Sequence, residues 1–126
     1  MPVRSLSSSV LKWPDGDSVR AAARKWALDL LAKNHRVKQV GFIGSYATGR
    51  EGVGSDLDLV VVLDGSLFPF ERRRALVDTS TLPVPADLLI YTEGELREIL
   101  GRGDRFAKEL REHGVWFTGE APLGAG

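Results

Sequence analysis

The 126-residue sequence predicts a single α/β (α+β) domain, a small mixed β-sheet of about four strands flanked by helices. Three observations lead there. Segments with an apolar stripe at helical spacing alternate along the chain with short, densely apolar runs. The composition, 43% hydrophobic and 27% charged, is ordinary for a globular chain. The length allows one core, since surface scaling buries roughly two-thirds of what the unfolded chain exposes. It leaves no room for a second lobe.

Residues 1–16 are Ser-rich, contain Pro2, Pro14 and Gly16, and read as a loosely ordered arm. Leu6, Val10, Leu11 and Trp13 are its candidates for packing back on the domain. Residues 17–119 form the expected domain. Asp17 and Ser18 are good N-cap types, and Val19, Ala22, Ala23, Trp26, Ala27, Leu30 and Leu31 then trace one helical face. Asn34 suits a left-handed stop. Val37 to Ile43 reads as a buried strand, Gly44-Ser45 breaks it, and Tyr46 to Gly49 holds one helical turn at most. Arg50 to Ser55 is a loop, and Asp56 to Leu63 is a second strand closed by the Asp64-Gly65 turn. Phe70 to Asp78 reads as a helix and residues 79–85 as a Pro-punctuated connection. Ala86 to Tyr91 is a third strand. Thr92 and Glu95 form a capping box for a helix to Leu100. Gly101-Arg102-Gly103 breaks that helix, Asp104 caps another to about His113, and Gly114 stops it. Val115 to Thr118 is a last strand, and residues 120–126 are a flexible tail.

Several function classes are excluded at this level. Lys+Arg and Asp+Glu both number 17, so no bulk basic field holds nucleic acid and no strong nucleic-acid binding is expected. The absence of cysteine removes disulfides, thiolate chemistry and Cys-ligated zinc. The longest apolar run, Leu59 to Leu63, is far short of the roughly 20 residues of a membrane span. No secretory signal pattern opens the chain, so the cytosol is the expected compartment.

Three features carry chemistry. Gly44 lets backbone approach a ligand closely, and Ser45 caps the turn or meets a phosphate oxygen. In Ser55-Asp56-Leu57-Asp58-Leu59 the strand period of two turns Asp56 and Asp58 to one face. Their mutual repulsion is relieved by a divalent cation, and Mg²⁺ prefers such oxygen ligands. Asp87 opens the third strand and completes a three-carboxylate cluster if that strand lies beside the second. Each feature alone has a plain structural reading: a strand-to-helix turn, solvated acids at a strand start, and an edge charge. Elsewhere, His35 and His113 sit at predicted helix ends, where a cation meets the dipole favourably. Arg72-Arg73-Arg74 reads as a solvated face in preference to a contact for a phosphate-bearing acceptor, Trp26 as core, and Phe106, Trp116 and Phe117 as cover for the sheet in preference to a partner surface.

Taken together, Gly44-Ser45, ten intervening residues and Asp56-x-Asp58 resemble the signature of the nucleotidyltransferase superfamily typified by DNA polymerase beta. The element order and the stretch Phe106 to Phe117 are similar to its minimal nucleotidyltransferases. The resemblance implies a nucleotidyltransferase fold and transfer of a nucleoside monophosphate, AMP from ATP, to a hydroxyl. It implies that Asp56, Asp58 and Asp87 are catalytic and hold two Mg²⁺ ions, and that Gly44 and Ser45 hold the β- and γ-phosphates. Many relatives carry Arg one or three residues after the Ser, where this chain has Tyr46 and Thr48. Arg50 is the expected substitute for nucleotide binding. The implied acceptor is a partner protein, a HEPN-family ribonuclease toxin that this chain would neutralise as antitoxin. The alternatives are a non-catalytic module that docks on such a toxin and a small-molecule nucleotidyltransferase. Base choice is then left to a partner or to a second copy of the chain, so a homo-oligomer is compatible.

Overall fold

The computed structural model of the protein describes residues 13–65 and 70–117. Most of the expected arm, the expected tail and Thr118 lie outside the described residues. The chain runs α1 (Gly16–Lys33), β1 (Val37–Ile43), α2 (Ser45–Thr48), β2 (Leu57–Leu63), a 3-10 segment (Phe70–Leu76), β3 (Ala86–Thr92), α3 (Glu93–Arg102), α4 (Arg105–Glu112) and β4 (Val115–Phe117). The sheet order is β3-β2-β1-β4. β2 and β3 are parallel, and β1 is antiparallel to both β2 and β4. The predicted mixed four-stranded sheet with flanking helices is therefore present.

The core explains the layering. β2 is apolar on both faces. Leu57, Leu59, Val61 and Leu63 pack with Val19, Ala23, Trp26 and Ala27 of α1. Val60 and Val62 face the other way, onto Leu96, Ile99 and Leu100 of α3 and Ala107 and Leu110 of α4. Burying each of the Val, Leu and Ile side chains among these contributes up to about 1.5–3 kcal/mol. A strand covered on both sides reads as a continuous apolar run, which is how β2 appears in the sequence. Trp26 is core, as expected, and its indole N–H donates to the Asp78 carbonyl at 2.8 Å.

Several boundaries differ from expectation. α1 starts earlier, because Asp15 is its N-cap and accepts from the Ser18 amide at 2.7 Å. Asn34 is extended (φ −130°, ψ 99°) rather than left-handed, with its N–H on the Leu30 carbonyl. β2 begins at Leu57, leaving Asp56 just ahead of it. Phe70–Leu76 is a 3-10 segment, not an α-helix to Asp78. α3 runs through Gly101 to Arg102, and left-handed Gly103 (φ 66°) ends it. The Thr92–Glu95 capping box and the Asp104 cap are formed as read.

Candidate active site

The site lies where β1, β2 and β3 expose their ends on the α3–α4 face of the sheet. Alternation sets this face: Asp58 shares the side of Val60 and Val62, and Asp87 that of Leu89. Asp58 is the register partner of Ile43 on one side and of Asp87 on the other. Parallel partners point to the same face, so the two carboxylates stand side by side at the point where helical cover runs out. Asp58 is half-buried, while Asp87 and Asp56 are exposed. Burial raises the Asp58 carboxyl above its ordinary value, and Asp87, Asp56 and Glu109 raise it further by repulsion.

The chain reverses at Gly44 in a conformation (φ 82°, ψ −152°) that glycine alone adopts readily. A β-carbon there would collide with the Asp58 carboxylate, so turn and acid are in direct contact. Gly44, not Ser45, is the N-cap of α2, and no side chain caps that turn. Ser45 is the first residue of the turn. The Gly44 amide donates instead to Glu109 Oε2 on α4, at 3.1 Å.

The following loop is tied down. Arg20 donates to the Tyr46 carbonyl at 3.1 Å and to Glu51 Oε1 at 2.8 Å. That ion pair holds the Glu51 carboxyl below its ordinary value. Tyr46 is buried, and its hydroxyl donates to the Ser55 carbonyl at 3.4 Å. The Arg50 amide closes on the Ser45 carbonyl at 2.9 Å, which fixes where the Arg50 side chain departs.

Two cavities open beside this junction. One, of about 440 Å³, is lined by Gly44, Thr48, Arg50, Arg105, Lys108, Glu109 and His113. No ion pair among the described residues engages Arg50, Arg105 or Lys108. The other, of about 330 Å³, is lined by Ile43, Asp58, Arg74, Asp87, Leu88 and Leu89. They flank the Ile43–Gly44 bond, one cationic and the other acidic.

The structure thus gathers Gly44, Asp58 and Asp87, with Asp56 at the edge and Arg50 across the turn. Among the described residues, no three carboxylate or histidine side chains close around one point. The donor set is an open face of hard oxygens. That suits Mg²⁺, which keeps several waters and takes one or two carboxylates beside substrate phosphates. His35 and His113 are not brought together; His113 alone reaches the cationic cavity. Sequence reasoning missed Arg105, Lys108 and Glu109, and it favoured a solvated face for Arg74 over an acceptor contact. The first three share one face of α4 with His113 through their i, i+3, i+4, i+8 spacing, a signal present but indistinguishable from a solvated helix face. Of the three consecutive arginines, Arg73 is buried against Glu95 and the Ile90 carbonyl, and Arg74 is left at the acidic cavity.

No curated protein matches the sequence significantly. Among solved structures, the fold is similar to a Sulfolobus solfataricus protein described as a "putative nucleotidyltransferase", with a TM-score of 0.55 at 19% identity over 84% of this chain and 88% of that one. The family model for the nucleotidyltransferase domain matches residues 24–117, a span that holds the Gly-Ser turn and all three aspartates. The chain belongs to the nucleotidyltransferase domain family.

Proposed function

We propose that the protein transfers a nucleoside monophosphate, AMP from ATP, to a hydroxyl group on a partner protein. One observation carries the reading: a cationic and an acidic cavity meet at Gly44 and Asp58. The polyphosphate of the nucleotide enters the cationic side, along Gly44, Ser45 and Arg50. The acceptor enters the acidic side. Its hydroxyl oxygen forms a bond to the α-phosphorus while the bond to the bridging oxygen of the β-phosphate breaks, and pyrophosphate leaves. Asp87, exposed at the head of β3, receives the hydroxyl proton. Asp56, Asp58 and Asp87 are the residues that would hold Mg²⁺, two ions in this reading. Bound there, the metal supplies charge stabilisation for the attacking and leaving oxygens. The rest of the contribution is alignment, with both reactants held on the rigid ends of adjacent strands.

The acceptor we assign is a HEPN-family ribonuclease, neutralised by this chain as its antitoxin. The likeness of Gly44-Ser45, Asp56-x-Asp58 and Phe106 to Phe117 to minimal nucleotidyltransferases supports that assignment. So does the openness of the acceptor side, where exposed Asp87 and Arg74 suit a hydroxyl presented on a macromolecular surface. Among the described residues, no helix is long and apolar enough to cross a membrane.

The test is a labelling assay with lysate, Mg²⁺ and ATP labelled at either the α- or the γ-phosphate. Label kept on a protein only from the α-position, and lost in Asp58→Asn, is expected. Label from the γ-position overturns the assignment. No label, with capture of a helical partner that survives Asp58→Asn, replaces transfer with docking.

A further inference from the structure

Glu109 places a carboxylate on the Gly44 amide, inside the cavity assigned to a polyanion. An anion beside Asp56 and Asp58 is unfavourable, and Glu109 already adds to the repulsion on Asp58. The side chain also lies among Arg50, Arg105 and Lys108 yet pairs with none of them, making a backbone hydrogen bond instead. A carboxylate oxygen accepting from this amide has the chemistry of a phosphate oxygen accepting from it.

We propose that Glu109 is an internal stand-in for phosphate. It satisfies the Gly44 amide in the nucleotide-free protein and is displaced by the polyphosphate tail of the nucleotide. Arg105 and Lys108, on the same face of α4, then pair with that tail beside Arg50. Glu109 is a positioning residue here, since it leaves the site when substrate enters. The inference rests on the nucleotide reading of the cationic cavity.

The experiment measures binding of inorganic tripolyphosphate and of Mg·ATP by titration calorimetry, on wild type, Glu109→Gln and the Arg105→Ala/Lys108→Ala double variant. Circular dichroism checks that each is folded. Glu109→Gln keeps a side chain of the same size but removes the competing charge. It is expected to bind tripolyphosphate on the order of tenfold more tightly than wild type, and the double variant on the order of tenfold more weakly. A merely structural Glu109 would lower thermal stability without tightening anion binding. Wild-type binding that Glu109→Gln leaves unchanged or weakens overturns the stand-in role alone. Failure of wild type and Glu109→Gln to bind either ligand overturns the nucleotide reading, and this inference with it.

Discussion

Asp58 and Asp87 are register partners across the parallel β2–β3 ladder, so two carboxylates are fixed side by side by backbone pairing. The half-buried member bears the cost. Its carboxyl is held above the ordinary 3.8 by burial first and by its acidic neighbours second. A raised carboxyl binds its proton more tightly in the folded state. Stability therefore falls as pH rises through the ordinary aspartate range into the range where folded Asp58 ionises. Asp58→Asn is expected to raise the thermal midpoint at neutral pH by about 2–5 °C. The gain disappears below the ordinary aspartate value, where both states are protonated. Melting curves across pH 3 to 7 check this; a variant less stable at pH 7 contradicts it.

Under the proposed function, Mg²⁺ relieves the same repulsion. Mg²⁺ at about ten times its dissociation constant should stabilise wild type by about 1.4 kcal/mol, because it binds the folded site and not the unfolded chain. Asp58→Asn should lose most of that gain, and a chelator should reverse it. An equal shift in the variant would place the ion elsewhere.

Gly44 tolerates a side chain poorly. Its backbone lies where β-carbons are strongly disfavoured, and the space a β-carbon needs is taken by Asp58. Gly44→Ala should cost about 2–4 kcal/mol by denaturant titration. Gly49 is also left-handed but faces open space, so Gly49→Ala should cost less, about 1 kcal/mol.

Much of this was legible before any coordinates. The apolar run of β2 marks a strand buried on both faces, and the period of two puts Asp58 on the side of Val60 and Val62, while Asp56 falls just ahead of the strand. Thr92 and Glu95 mark the start of α3 because capping chemistry is local. What stayed hidden depends on tertiary contact. Glu109 lies 65 residues from the glycine it touches, and nothing in its neighbours announces that. Arg73 and Arg74 are adjacent in an apparently solvated triplet, yet Arg73 is buried against Glu95 and the Ile90 carbonyl while Arg74 stays exposed at a cavity. Asn34 illustrates the limit of residue preference, being extended where a left-handed stop was expected.

Arg73 links the fold to the acceptor side. Its buried guanidinium donates to the Ile90 carbonyl at 3.1 Å and, through both terminal nitrogens, to Glu95. Glu95 also accepts from the Thr92 amide at 2.9 Å, so one carboxylate serves a capping box and a buried cation. Its hydrogen bond with Arg73, more than any other cause, holds the Glu95 carboxyl below its ordinary 4.5. A lowered carboxyl contributes stability that is present above that ordinary value and is lost as pH falls through the folded one. Glu95→Ala leaves the guanidinium unpaired and removes part of the cap. Glu95 is 40% exposed, so solvent screens the loss to about 2 kcal/mol, below the 3–5 of a fully buried pair. Glu95→Gln keeps the cap and loses less, and its deficit against wild type should shrink as pH falls below the ordinary 4.5. In a double-mutant cycle with Arg73→Met, the loss from Glu95→Ala should shrink, since no buried charge is then stranded. The pair fastens the 3-10 segment to β3 and α3, and so sets where Arg74 meets the acidic cavity. Under the proposed function, Glu95→Ala should raise KM for the acceptor several-fold while nucleotide affinity in the cationic cavity stays unchanged. Equal loss on both substrates would show that Arg73 supports the whole domain and not the acceptor side in particular.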